Sequence, residues 1–187
     1  MDSKLQIISG AYRGRKLVLP AGARPTQNLA RGAIFNMLAG IFDVSDKITV
    51  WDAFGGSGAL GIETLSRYPS AVAIFTDLAE ESIKTIKNNT KNIAANRIRI
   101  MRADAVKEIK NYAKNVDLIF IDPPYENADL GISFVAKLAD VVRPGTIVVQ
   151  EIEKIVPYSV DTTKWDVLRD KTYGRARFLI LRRNDNK

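Results

Sequence analysis

Residues 116–125 read Val116-Asp117-Leu118-Ile119-Phe120-Ile121-Asp122-Pro123-Pro124-Tyr125, and the fold turns on how they are read. The apolar run 118–121 is short, β-branched and aromatic, which is the composition of a strand buried on both faces of a parallel sheet. Proline fixes its own φ, lacks an N–H and pushes the preceding residue towards an extended backbone. Asp122 therefore falls at the strand's carboxyl end, with its carboxylate and the Pro123 carbonyl projecting as acceptors. Two acceptors with an aromatic ring at Tyr125 can hold a planar group that carries an NH2.

Outward from this run, strands and helices alternate. Strands are expected at 48–53, 71–76, 97–101, 118–121 and 146–151, with helices at 58–68, 80–95, 105–113 and 129–142. Such alternation predicts an α/β, Rossmann-like, doubly wound sheet that is mostly parallel. Residues 165–171 and 175–181 flank Tyr173-Gly174 with no helix between them. They predict an antiparallel C-terminal hairpin at the sheet's edge, for seven strands in all. Ahead of residue 44 lie two short apolar stretches, 5–8 and 15–19, around a basic, glycine-bearing tip. They read as a β-hairpin, followed by an irregular loop at 20–27 and a helix at 29–41. The expected organisation is a basic hairpin-and-helix extension at 1–43 and a main domain at 44–187.

Composition narrows the chemistry. The chain has 187 residues, no cysteine and no histidine, and a formal net charge of +7. Disulfides, thiol catalysis, histidine-based triads and nearly all zinc sites are thereby excluded, and no metal is expected. No apolar run approaches the roughly 20 residues that span a bilayer. The first residues, MDSKLQIISG, lack a basic-then-apolar secretory pattern, so no membrane association and a cytoplasmic address are expected. Basic residues cluster at the two ends, with Arg13, Arg15, Lys16 and Arg24 near the start, which suits a polyanionic partner. No apolar excess demands a dimer, so a monomer is expected.

The second constellation is Asp52-Ala53-Phe54-Gly55-Gly56-Ser57-Gly58-Ala59-Leu60-Gly61. Residues 56–61 spell G-x-G-x-x-G between an expected strand and an expected helix, the context in which that pattern cradles a ligand at a helix N-terminus. Asp77 ends the next strand, where a carboxylate meets ribose hydroxyls. Asp77-Leu78-Ala79-Glu80 also fits a capping box, so a purely structural role is the other reading. Asp104, after the third strand, carries the same ambiguity. A nicotinamide-dependent oxidoreductase competes at this point. Against it, Asp52 stands inside the strand, and no His, Cys or Tyr-x-x-x-Lys offers a proton-transfer group.

Asp52-x-Phe54-x-Gly56-x-Gly58 followed by Asp122-Pro123-Pro124-Tyr125 resembles the S-adenosylmethionine-dependent amino-methyltransferases. The flanks narrow the resemblance: Ile8-Ser9-Gly10-x-Tyr12-Arg13-Gly14-Arg15-Lys16-Leu17, then Arg24-Pro25-Thr26, Arg31 and Phe35-Asn36, and a terminal Tyr173-Gly174. Over essentially the whole chain these are similar to the bacterial small-subunit ribosomal RNA guanine-N2 methyltransferases of the RsmD type. Asn28 and Gly32 replace acids usual in that family, and Asp77 stands where a glutamate is common. The resemblance implies methyl transfer from S-adenosylmethionine to the N2 of a guanine in small-subunit ribosomal RNA, naked or in an assembling subunit. It implies that Gly55, Gly56, Ser57 and Gly58, with Asp52 and Phe54, meet the methionine part of the cofactor. Asp77 would meet the ribose, Leu78 the adenine face, and Asp104 and Ala105 the adenine edge. Asp122, also counted with the cofactor, and the Pro123 carbonyl would accept from the target amine while Tyr125 stacks on the base. Arg13, Arg15, Lys16 and Arg24 would meet phosphates. Methylation of another exocyclic amine, such as adenine N6, and a non-catalytic RNA-binding or ribosome-assembly factor are the alternatives.

Overall fold

The computed structural model describes residues 5–22, 28–123 and 128–185. Seven strands form one sheet: β1 (Thr49–Asp52), β2 (Val72–Asp77), β3 (Ile98–Arg102), β4 (Leu118–Ile121), β5 (Ile147–Glu153), β6 (Trp165–Tyr173) and β7 (Ala176–Arg183). Their order is β3-β2-β1-β4-β5-β7-β6. β1 to β5 are mutually parallel, and β7 lies antiparallel between β5 and β6. The helices are α1 (Asn28–Leu38), α2 (Ala59–Arg67), α3 (Glu80–Asn89), α4 (Ala105–Tyr112) and α5 (Ala128–Leu138). This is the expected Rossmann-like α/β architecture with its antiparallel C-terminal pair.

β4 shows how alternation builds the layers. Leu118 and Phe120 face one core with Val50, Val149, Ile34, Phe35, Ile62 and Leu65, on the side of α1 and α2. Ile119 and Ile121 face the other, with Trp51, Val148, Ile109, Phe134 and Leu138, on the side of α4 and α5. All four are buried, so the run has no polar face, as a central parallel strand requires. The chain leaves β1 towards β2 and β3, then returns to place β4 on the other side of β1. The carboxyl ends of β1 and β4 therefore flank the point where strand order reverses, where open α/β sheets form their ligand crevice.

The N-terminal hairpin differs from expectation. Instead of two laddered strands there is one bridge, Gln6 with Lys16, supported by Ile7 N–H to the Arg15 carbonyl and Leu17 N–H to the Leu5 carbonyl. The rest of the ladder is replaced by side chains of the main sheet's helices. Glu63 of α2 accepts from the backbone N–H groups of Ile8 and Ser9 at 2.8 and 3.0 Å. The Asn89 carboxamide at the end of α3 accepts from Val18 N–H and donates to the Val18 carbonyl, both at 2.9 Å. Leu5, Ile7 and Leu17 are buried in the same core as α1 and β1.

Three helices stop before their apolar period does, and the first, α1, ends at Leu38 rather than 41. α3 ends at Asn89 rather than 95, because Asn89 is committed to Val18 and Thr90 turns its hydroxyl back onto the Ile86 carbonyl at 2.8 Å. α5 ends at Leu138 rather than 142, and the chain turns through Val141 and Val142, whose N–H groups both donate to the Leu138 carbonyl.

Candidate active site at the carboxyl edge of β1 and β4

The glycine loop leaves β1 and enters α2. Gly58 caps the helix with φ 77°, a left-handed conformation that a side chain would strain. Gly61, one turn into α2, lies against the ring of Phe75 on β2, where a Cβ would stand 2.3 Å from a ring carbon. The loop is pinned from several sides. Gly55 N–H donates to the Thr76 carbonyl at 2.8 Å, and Gly56 N–H donates to the Asp77 carboxylate at 2.8 Å. The Ser57 carbonyl accepts from Asn89 at 2.9 Å. Beneath the loop the Thr76 hydroxyl donates to the Ala53 carbonyl and accepts from the Trp51 indole N–H.

Asp52 is buried under this loop and accepts from Gly61 N–H at 3.0 Å. Burial pushes its carboxyl up to about 7; the Gly61 bond opposes this, and the nearby Asp122 and Asp77 charges add to it. These carboxylates therefore converge on one crevice although they come from three strands. Asp122 is half-buried at the end of β4, and Pro123 behind it is buried. Pro124, Tyr125 and Arg24 lie outside the described residues.

Asp77 makes two local contacts through its two carboxylate oxygens. One oxygen holds Gly56, and the other accepts from Ala79 N–H at 2.8 Å, shaping the turn into α3. The helix cap itself is Ala79, so the capping box does not form. A carboxylate offers about four lone-pair sites, which leaves capacity for hydroxyl donors. Asp104 caps α4, accepting from Val106 N–H at 3.0 Å, and Ala105 is buried beside it. Leu78, between the Asp77 turn and α3, is 63% exposed. Phe54 packs edge-on against Phe134 of α5 at 5.3 Å and closes the crevice from that side.

At the N-terminal segment Arg13 and Lys16 are exposed, and the Arg15 guanidinium lies 5.8 Å from the centre of the Tyr12 ring. Arg31, part of the same basic stretch, is not a surface charge. It is fully buried, donates to the Gln6 carbonyl, and stands 3.7 Å from the equally buried Glu63. Among the described residues no cluster of three or more Asp, Glu, His or Cys side chains is placed to hold a metal ion, and no helix is long and apolar enough to cross a membrane.

The family model described as Conserved hypothetical protein 95 matches residues 5–182. The chain belongs to that family. Ribosomal RNA small subunit methyltransferase D of Escherichia coli (strain K12) is 29% identical over 187 residues, spanning 97% of this chain and 91% of the relative. The protein of the same name in Haemophilus influenzae is 31% identical over 180 residues, spanning 91% and 90%. A solved structure titled putative methyltransferase yhhF from Escherichia coli superposes with a TM-score of 0.81 at 28% identity, covering 96% of this chain and 98% of that one. The family is thus the one that the sequence motifs resemble, and the chain is a methyltransferase of the S-adenosylmethionine-dependent class.

The crevice suits such a cofactor on its own terms. It combines glycine backbone at a helix N-terminus, a carboxylate at the end of β2 with acceptor capacity left, and an exposed apolar side chain in Leu78 beside it. Several residues that organise this site escaped the motif reading. Glu63 and Asn89 sit in ordinary helical sequence, and only their long-range backbone partners reveal them. Gln150 of β5, level with Ile121, is fully buried, and neither of its amide atoms has a hydrogen-bond partner among the described residues. It lies close to Pro123, since a Cβ on Gly131 of α5 would stand 3.3 Å from its amide nitrogen and 3.2 Å from the Pro123 ring.

Proposed function

We propose that this methyltransferase modifies the exocyclic N2 of a guanine in small-subunit ribosomal RNA, using S-adenosylmethionine. The observation that carries the reading is the placement of Asp122-Pro123 beside the glycine loop, across the adjacent ends of β4 and β1 at the reversal of strand order. The names of the relatives support ribosomal RNA as the substrate.

S-adenosylmethionine would supply a sulfonium-bound methyl group: the nitrogen–carbon bond would form as the carbon–sulfur bond breaks onto sulfur, and the methylated nitrogen would then release one N–H proton to solvent. The residues of this chain bind and orient. Gly55, Gly56, Ser57 and Gly58 hold the methionine part, with Phe54 and Asp52 behind them. Asp77 takes the ribose hydroxyls, Leu78 covers the adenine, and Asp104 with Ala105 borders its edge. A guanine amine is a poor nucleophile because its lone pair is delocalised into the ring. Asp122 and the Pro123 carbonyl accept its two N–H groups, which favours a tetrahedral nitrogen and stabilises the positive charge that develops there. Tyr125 stacks on the base. Alignment of this kind is worth roughly 7–11 kcal/mol of barrier. No titrating histidine is needed.

Reaching the crevice requires the base to leave its stack, at a cost of a few kcal/mol. Arg13, Arg15, Lys16 and Arg24 offset it through contacts to phosphates. The enzyme acts in the cytoplasm as a monomer, on free ribosomal RNA or an assembling subunit. The test is transfer of labelled methyl groups from S-adenosylmethionine to small-subunit ribosomal RNA, followed by mapping of the modified nucleotide. Asp122→Ala is expected to lower transfer by at least about 100-fold while S-adenosylhomocysteine still binds. Label on adenine or on protein, or undiminished transfer by Asp122→Ala, overturns the reading.

A further inference from the structure

Beyond β5 the chain makes a tight turn, with Val156 N–H donating to the Glu153 carbonyl at 3.0 Å. Lys154 N–H donates to the Arg175 carbonyl at 2.7 Å, so the turn is held against the β6–β7 connection at Gly174. Between them lies a hollow of about 420 Å³ lined by Glu153, Lys154, Ile155, Gly174 and Arg175. Its walls differ in character. Ile155 is 86% exposed, the most exposed large apolar side chain among the described residues. The Arg175 guanidinium, itself largely exposed, donates through one nitrogen to the Glu153 carboxylate at 2.7 Å, which neutralises the one acid in the lining. Lys154 is exposed at the rim, and Lys171 is exposed on β6, two residues before Tyr173.

The hollow belongs to the same edge of the sheet as Asp122. Ile121 pairs with Gln150, so Asp122 is level with Glu151, and the hollow begins at Glu153 on the neighbouring strand. At about 3.3 Å per residue and about 4.8 Å between strands, that places its start about 8 Å from Asp122, on the side away from the glycine loop.

We propose that this hollow binds one unpaired RNA base next to the target nucleotide. The proposal rests on the RNA reading above and extends it to a site that reading does not use. A base taken out of its stack leaves its neighbour with an uncovered face. RNA-binding proteins cover such faces with aromatic rings or arginine planes. Here Ile155 offers an exposed apolar side chain and Arg175 a guanidinium plane on which a base can stack, and Lys154 offers a cation at the rim for the adjoining phosphate. The positive rim matches a polyanion.

The experiment measures equilibrium binding and methyl transfer with a stem-loop transcript of small-subunit ribosomal RNA containing the mapped guanine. Ile155→Ser and Arg175→Ala are expected to weaken binding and raise KM for RNA by about 5- to 100-fold. Neither is expected to change kcat, the affinity for S-adenosylhomocysteine or the thermal midpoint. An abasic nucleotide beside the target should weaken binding to the wild-type chain, with no further loss in Ile155→Ser. Wild-type binding and KM in both variants overturns the inference and leaves the guanine reading standing. Label on another nucleotide, with Ile155→Ser still weakened, overturns the guanine reading and upholds the hollow. A wild-type chain that binds no ribosomal RNA overturns both.

Discussion

The N-terminal segment and the C-terminal hairpin carry the two basic stretches of the chain, and they hold their charge in different ways. On the hairpin, Arg177 and Arg182 each sit 2.8 Å from a carboxylate, Asp170 and Asp166, on the neighbouring strand β6. Arg183 donates to the carbonyls of Ala139, Lys164 and Asn184. In the N-terminal segment, Arg13 and Arg15 have no carboxylate within ion-pair distance among the described residues, and Arg31 is buried against Glu63. Counting lysines and arginines cannot separate these cases. What separates them is where the acids fall in the fold: Asp166 is the direct register partner of Arg182, whereas Glu63 lies inside a helix that the N-terminal segment happens to cover.

The largest effect should come from breaking the buried pair. Glu63→Ala removes the acceptor of Ile8 and Ser9 and takes the opposing charge from a desolvated Arg31, whose burial already lowers its pKa. Breaking a buried pair costs roughly 3–5 kcal/mol, so urea denaturation should show a loss of that order. A loss below about 1 kcal/mol would mean that the segment docks by apolar burial alone.

Asp52 gives the next effect, and its sign is opposite to that of a carboxylate held by a cation. Its carboxyl is pushed up from 3.8 to about 7 in the folded chain. Between those values the native state keeps a proton that the unfolded chain releases. The contribution to stability is therefore greatest below about pH 4, declines as pH rises, and levels off above about pH 7. Asp52→Asn should remove that slope, read as the difference between wild-type and variant denaturation curves from pH 4 to 8. Parallel curves would place the proton elsewhere.

Arg13→Ala and Arg15→Ala should weaken RNA binding uniformly across sequences, and each should reduce the salt slope by about 1. Arg182→Ala should leave that slope unchanged and cost no more than about 1 kcal/mol of stability, because exposed pairs contribute little. If Arg182 altered the slope as much as Arg13 does, the contrast between the two ends would collapse.

Much of this was legible beforehand. The strand at 118–121 has the bounds expected from its composition, since an all-apolar run closed by proline leaves little choice. The alternation of strands and helices, the terminal hairpin and the glycine turn at Gly58 follow from local rules. The rest depends on contacts that residues distant in sequence make through backbone groups. Nothing in the pattern around Asn89 says that its carboxamide will end α3 by bonding to Val18. Nothing around Arg31 marks it as interior. Asp104 was ambiguous because capping and ligand binding ask for the same residue type at the same place; the structure shows the cap.

Asn89 also has a consequence for how the molecule can be cut or altered. The same amide nitrogen serves the Val18 carbonyl and the Ser57 carbonyl, each at 2.9 Å. One planar group thus bolts the stretch ahead of α1 to the turn behind β1. A shift of Val18 reaches Ser57 within a single side chain, with no spring between them. Trimming the first twenty residues would therefore do more than remove basic surface: it would take away two of the three hydrogen bonds that orient the Asn89 carboxamide, whose third holds the Ser57 carbonyl of the glycine turn.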